Sequence, residues 1–268
     1  MTYGQGLVLG LVQGVTEFLP ISSSGHLVLV PYLFGWPDQG LAFDAVMHLG
    51  TIAALLAYFR VELVAILAGL GGARDRADSR RLAFLLVAAT IPGGLAGVLL
   101  DSLIERHLRL PIVVALSTLT WAIAMLAADR LAAARPPATL DEHGIGWGQG
   151  LLVGCAQAIA LIPGTSRSGI TITAGLFGGL DRPTAARFAF LLGIPITAGA
   201  GGLKALHLLK LGLPADDRGP LLAALLSAFV AGWASVWFLV NYLRQNSLLP
   251  FVVYRVALGL VLLAIVLA

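Results

Sequence analysis

The stretch Pro163-Gly164-Thr165-Ser166-Arg167-Ser168-Gly169 interrupts an otherwise apolar sequence and decides how the chain is read. It separates Trp147 to Ile162 from Ile170 to Leu180. Each run is too short to cross a bilayer, because roughly 30 Å of hydrocarbon takes about 20 helical residues. An arginine at membrane depth is costly unless it faces protein or water. Non-helical backbone is tolerated there only where it is buried in protein or lines a cavity. The segment therefore predicts a re-entrant helical hairpin with a polar tip.

Composition supports a membrane setting. Of 268 residues, 58% are hydrophobic and 12% charged, and the mean hydropathy is +0.91. Soluble domains carry roughly 25% charged residues, so the chain reads as a polytopic membrane protein. The net charge of +3 is spread along the sequence and offers no basic stripe, which sets nucleic-acid binding aside. Cys155 is the sole cysteine, so neither an internal disulfide nor a thiolate metal site can form; a small buried residue is expected there. The N-terminus has no basic region, and Glu17 breaks its first apolar run, unlike a cleavable signal peptide.

Working outward, the same pattern occurs near the start. Gly4 to Leu19 and His26 to Phe34 are short apolar runs joined by Pro20-Ile21-Ser22-Ser23-Ser24-Gly25, a second predicted hairpin. Long runs follow each hairpin. They cover Leu41 to Leu70, Leu82 to Leu100 and Pro111 to Ala128 in the first half, and Pro183 to Lys204, Leu221 to Tyr242 and Leu249 to Ala268 in the second. An internal echo links Gly6, Gly10 and Gln13 to Gly150, Gly154 and Gln157, although Pro20 and Pro163 fall one residue out of step. The expected fold is all-α in a single membrane domain, with six transmembrane helices plus two re-entrant hairpins and repeat halves of about 1–135 and 145–268. Three crossings per half is an odd number, so the halves would be inverted and their polar tips would meet from opposite faces.

The positive-inside rule orients this arrangement. Arg74, Arg76, Arg80, Arg81, Arg130, Arg135, Arg182, Arg187 and Arg244 fall on one side, against Arg106, Arg109, Lys204, Lys210 and Arg218 on the other. The first group is expected in the cytoplasm, with both termini outside.

The tips contain complementary chemistry. Gln13 and Glu17 share a helical face. Ser22, Ser23 and Ser24 lead into His26, which could serve as acid, base or nucleophile. These serines could instead simply cap the second short helix. At the other tip Gly164 permits close approach, Thr165, Ser166, Ser168 and Thr171 offer hydroxyls, and Arg167 supplies a fork suited to phosphate oxygens. An Arg167–Glu17 pair could also serve packing alone. Asp44 and His48, four apart, are placed at the cavity mouth or in a plain helix-facing pair; Arg255 either snorkels to the interface or adds a second cation. The set suits a phosphate ester or pyrophosphate better than a neutral solute.

Gln13-Gly14-Val15-Thr16-Glu17-Phe18-Leu19-Pro20-Ile21-Ser22-Ser23-Ser24-Gly25-His26 and Pro163 to Thr171 closely resemble the two signature motifs of the bacterial undecaprenyl-diphosphate phosphatases of the bacitracin-resistance type. The resemblance extends across nearly the whole chain, including Phe43-Asp44 and Tyr254-Arg255. It implies dephosphorylation of undecaprenyl diphosphate to the monophosphate carrier used in cell-wall synthesis, in the bacterial inner (cytoplasmic) membrane, at a cavity open to the extracytoplasmic side. It also implies a divalent cation, Mg or Ca, with Glu17 as its protein ligand. Glu17, Ser23, His26 and Arg167 match the family's catalytic positions, and Ser166, Ser168 and Thr171 its phosphate-contacting motif. Gln13 stands where the family has Glu or Gln, leaving Glu17 the lone carboxylate. The expected partners are a polyprenyl diphosphate lipid and the membrane, with a homodimer left open. Type 2 phosphatidic acid phosphatases share a Ser-Gly-His, but the histidine they need beyond Ser166-Arg167 is Thr173 here.

Ser23 is favoured as nucleophile, activated by Glu17 or His26, with direct attack by water as the alternative. A transporter of an anion or lipid phosphate is the rival class, since inverted repeats with broken helices are a common transporter design.

Overall fold

The computed structural model describes residues 1–37, 41–72, 76–108, 110–135, 141–211 and 215–267. Asp38, Arg74, Arg109 and the Pro136-Pro137 pair lie outside the described residues, as do the side chains of Asp44, Arg106, Lys204 and Lys210. Among the described residues the regular structure is entirely helical.

Two hairpins frame the site. Helix α1 (Tyr3–Phe18) and α2 (Ser23–Phe34) form the first, and α7 (Trp147–Ile159) and α8 (Arg167–Phe177) the second. Each first helix ends at its proline and hydroxyl residues, and at each N-terminus a glutamine Oε1 accepts from the backbone N–H three residues earlier: Gln5 from Thr2 and Gln149 from Gly146. Ser22 and Ser166 precede α2 and α8, with φ of 75° and 69°. They are the described non-glycine residues with positive φ, a conformation that side chains rarely adopt outside constrained sites. Their spacing along the chain equals that of Gln13 and Gln157, so the echo in the sequence continues through the tips once the prolines are ignored.

Between the hairpins run α3 (Leu41–Tyr58), α4 (Arg60–Leu70), α5 (Ala77–His107) and α6 (Pro111–Ala133). After the second come α9 (Arg182–Leu211), α10 (Ala215–Tyr242) and α11 (Leu249–Leu267). Four of these are long and apolar enough to cross a membrane among the described residues, and five if the bent pair α3–α4 counts as one span. This makes the chain a multi-pass membrane protein. α9 contains the expected Pro183 to Lys204 run but continues to Leu211, and its side chains from 203 onward are outside the description.

The Leu41 to Leu70 run, expected as one tilted span, is instead bent by 76° at Phe59. No proline or glycine sits at that break. Tertiary contacts hold it: Phe59 is fully buried, Arg187 stacks over its ring at 5.3 Å, and Arg187 pairs with Glu62 at 2.5 Å just beyond the bend. Glu142, in a 3-10 turn at Glu142–Gly144, completes that cluster. Arg182 pairs nearby with Asp129, and Arg81 donates to the carbonyls of His143 and Ile145. Arginines assigned to one side by the charge count thus tie the helix ends together.

Helix packing places the hairpins. α1 lies along α10, α7 along α5, α3 against both α9 and α10, and α6 against α11. Glycines line the closest seams. A Cβ at Gly14 would come within 2.7 Å of the Ala228 carbonyl, and one at Gly50 within 2.6 Å of the Leu225 carbonyl. Small residues let membrane helices approach closely where no hydrophobic driving force favours it. Cys155 corrects the expectation of burial: it is exposed on α7. A lipid-facing surface is as apolar as a core, so a thiol is accommodated there as readily.

Candidate active site

Glu17 occupies the last turn of α1 and is buried. Arg167, the first residue of α8, donates from Nη2 to Glu17 Oε1 at 2.7 Å, joining the two hairpins directly. Ser23, the first residue of α2, donates from Oγ to Glu17 Oε2 at 2.7 Å. Gln13 Nε2 donates to the same oxygen at 3.3 Å, one turn earlier on α1. His48 Nε2 on α3 lies 3.4 Å from it. A buried carboxylate is thus met by a guanidinium from α8 and by N–H and O–H groups from its own helix and from α2 and α3, the compensation that a charge removed from water requires.

These groups open onto a cavity of about 240 Å³. Glu17, Ser22, Ser23, Ser24, Gly164, Ser166 and Arg167 line it, with His48, Ile196 and Thr197 from the spans. The cavity therefore draws on both polar tips. Ser22 makes no capping bond to α2, and its Oγ meets Ser24 Oγ at 3.3 Å. Ser166 does cap α8, accepting from Gly169 N at 3.2 Å, so capping holds at one tip and not the other.

The remaining sequence candidates sit behind the cavity wall. Thr165 is fully buried and shares a hydrogen bond with Ser117 at 2.9 Å. Ser168 donates to the Leu19 carbonyl at 3.2 Å, a bond across the hairpins. Thr171 donates to the Arg167 carbonyl at 2.7 Å, within its own helix. His26 is also turned from the lining. Its Nδ1 is 2.7 Å from the Ser22 carbonyl and its Nε2 is 2.5 Å from the Tyr254 hydroxyl. A carbonyl only accepts, so Nδ1 carries a proton, and in a neutral ring Nε2 then accepts from Tyr254. His26 therefore braces the positive-φ turn at Ser22.

Arg255 neither snorkels nor reaches the cavity lining. It is 1% exposed, with Nη1 donating to the Pro20 carbonyl at 3.4 Å and Nη2 to those of Gly164 at 3.0 Å and Thr118 at 3.3 Å. One side chain from α11 thus clamps the backbone of both tips. Thr118 Oγ1 also donates to the Gly164 carbonyl, at 3.3 Å. The signal that could have found this role is the arginine itself, deep in an apolar run; its contacts were not legible.

The same residues offer few ligands to a cation. Among the described residues no three His, Cys, Asp or Glu side chains come together. A hard divalent ion can, however, be held by one carboxylate together with substrate phosphates. Glu17 supplies that carboxylate, and Gln13 Oε1 beside it is a buried oxygen with no partner. This donor set fits an ion arriving with an anionic substrate.

Fold and site together define a helical membrane protein whose two broken helical hairpins meet at a buried carboxylate, a serine and an arginine. Sequence comparison identifies the group. The chain belongs to the bacitracin resistance protein BacA family, whose model matches residues 6–261. It is 47% identical over 265 residues to undecaprenyl-diphosphatase 2 of Stutzerimonas stutzeri, covering 97% of each chain. It is 46% identical over 259 residues to the undecaprenyl-diphosphatase of Teredinibacter turnerae, covering 96% of each. Its identity to that of Thermomicrobium roseum is 45% over 278 residues, 99% of each.

Proposed function

We propose that this chain is an integral-membrane phosphatase that hydrolyses undecaprenyl diphosphate to undecaprenyl phosphate and phosphate, recycling the carrier for cell-wall synthesis and conferring bacitracin resistance. The observation that carries the reading at the site is the joint contact of Ser23 and Arg167 with Glu17 across the two tips. It brings a nucleophile, a proton acceptor and an anion-binding fork to one cavity.

Ser23 Oγ bonds the terminal phosphorus, its proton passes to Glu17 Oε2, and the bond from that phosphorus to the bridging oxygen breaks, releasing undecaprenyl phosphate. Water then attacks the phosphoserine. One of its protons replaces the one lost from Ser23, the other leaves on hydrogen phosphate, and Glu17 returns its proton to solvent. Arg167 keeps N–H groups for the phosphate oxygens while Nη2 holds Glu17. Most of the acceleration comes from positioning and charge stabilisation, as is general for phosphoryl transfer. A divalent ion, Mg or Ca, would be held by Glu17 and Gln13 and would neutralise charge on the diphosphate.

The finer architecture is part of the proposal: six spans, two re-entrant hairpins and inverted halves of about 1–135 and 145–268. Equal spacing of Gln13–Gln157 and Ser22–Ser166 supports it, as does the matching of the α1–α10 seam by α7–α5. In this register Ser23 and Arg167 are equivalent positions, so one repeat carries the nucleophile and the other the anion fork. The charge count favours a cytoplasmic side at Arg182 and Arg187, and the family resemblance implies an extracytoplasmic mouth for the cavity, in the bacterial inner membrane. The reading is tested by incubating purified protein with a prenyl diphosphate and a divalent ion. Inorganic phosphate is expected; its absence, with transport of the lipid in vesicles, would point to the transporter class instead.

A further inference from the structure

Glu17 and His48 stand on different helices that share one neighbour. Gly14, three residues before Glu17, would put a Cβ 2.7 Å from the Ala228 carbonyl of α10, and Gly50, two residues after His48, would put one 3.1 Å from the Ala228 side chain. α1 and α3 are therefore seated against the same turn of α10 with no room for a side chain on either. This packing fixes the two backbones that carry the side chains, and His48 Nε2 lies 3.4 Å from Glu17 Oε2. His48 also lines the cavity, with 28% of its side chain exposed against 6% for Glu17. Its backbone is fixed in turn, since Thr51 Oγ1 donates to the His48 carbonyl at 2.9 Å. The other imidazole near the tips, His26, has both ring nitrogens engaged by Ser22 and Tyr254.

We propose that His48 is a positioning residue of the phosphatase site: its Nε2–H holds Glu17 Oε2 in the orientation that receives the Ser23 proton. The proposal rests on the reading that Glu17 and Ser23 carry the reaction. A carboxylate turns easily about its terminal torsion, which is broad and two-fold. Arg167 fixes Oε1, but Ser23 must find Oε2 in one place, and Gln13, which donates to that oxygen, sits on the same helix as Glu17 and moves with it. His48 is the partner that approaches from a separate span, and so limits rotation from another direction. The role needs an N–H at the right reach and no proton transfer. A misplacement of about 1 Å at a reacting group can lower the rate on the order of 100-fold.

The test compares phosphate release from a prenyl diphosphate, with a divalent ion present, by wild type, His48→Gln and His48→Leu. Glutamine keeps an N–H at similar reach, while leucine keeps bulk without a donor. His48→Gln is expected within about threefold of wild-type kcat, and His48→Leu at least about tenfold lower with KM nearly unchanged, the mark of an interaction that acts in the transition state. Equal activity of the two variants at wild-type level would overturn the proposal. So would a fall of His48→Gln as deep as that of His48→Leu with melting temperatures intact, or a rise in KM alone. If leucine packs badly, His48→Met gives the same comparison. A wild type that releases no phosphate would instead overturn the phosphatase reading, so the two failures are separate.

Discussion

Arg255 Nη2 lies 3.0 Å from the carbonyl oxygen of Gly164, while Nη1 of the same guanidinium lies 3.4 Å from that of Pro20. The two carbonyls belong to different hairpins. A planar fork at this point holds two breaks in non-helical backbone together, and with them the contact of Glu17 to Arg167. Hydrogen bonds to a charged donor contribute roughly 1.5–3 kcal/mol each.

Arg255→Leu should therefore lose both stability and rate. The melting temperature is expected to fall, and kcat on the order of 100-fold because the tips drift apart. Arg255→Lys keeps the charge but cannot span both carbonyls, and is expected to recover stability better than rate. Thermal unfolding and phosphate release on the same preparations check this. Unchanged kcat in Arg255→Leu would show that the clamp does not position the site.

Tyr254 tests the part played by His26. Its hydroxyl meets His26 Nε2 at 2.5 Å, and the rings stack with centroids 5.7 Å apart. Tyr254→Phe keeps the stack and removes the hydroxyl. If His26 braces the Ser22 turn, the loss should be mild, about threefold to tenfold in kcat, the scale of one neutral hydrogen bond. A loss as large as that of His26→Ala would place the Tyr254 hydroxyl in the chemistry itself.

Much of this arrangement could be read from residues alone. Pro20 and Pro163 mark the breaks, the short runs beside them mark the hairpins, and the polar residues at the tips mark the site. Glu17 and Arg167 are legible as a possible pair, because each is the lone charge at its tip. What failed to show has a common physical cause: it depends on partners far along the chain. The bend at Phe59 lies in a continuous apolar run and is imposed by Arg187, Glu62 and Phe190. Arg255 was legible as an expensive arginine, but the carbonyls it holds belong to tips that only folding brings near. Thr165, Ser168 and Thr171 share the composition of the tip, yet their hydroxyls bond to buried protein groups, a distinction that spacing does not encode.

The reactive atom is open to direct capture. Rapid acid quench of protein turning over a prenyl diphosphate labelled in the terminal phosphate should leave label on Ser23, and Ser23→Ala should abolish it along with about 1,000-fold or more of the rate, as for other nucleophile deletions. Label on His26, or undiminished turnover by Ser23→Ala, would assign the attack to another group or to water.

Acid should loosen the Arg187 cluster at the Phe59 bend. Burial works against the Glu142 carboxylate, but the hydrogen bonds and charge of Arg187 outweigh it and hold its pKa below the ordinary value of 4.5. A depressed carboxylate contributes stability that is fully present above its unfolded pKa and is lost as pH falls through the folded one. Melting temperature should thus decline as pH drops below about 4.5, and Glu142→Gln should lower it at neutral pH while flattening that decline. Parallel curves for the two proteins would assign the acid sensitivity elsewhere.

The central claim is that one site is built from both hairpin tips, with Glu17 from one half and Arg167 from the other. Phosphate release from undecaprenyl diphosphate, measured side by side for wild type, Glu17→Gln and Arg167→Ala, tests it most directly. Wild type should release phosphate steadily. Each variant should fall by at least about 100-fold, and the double variant should fall little further, because residues that act as a unit are not additive. Substantial turnover by either single variant, or losses that multiply in the double variant, would contradict a shared site.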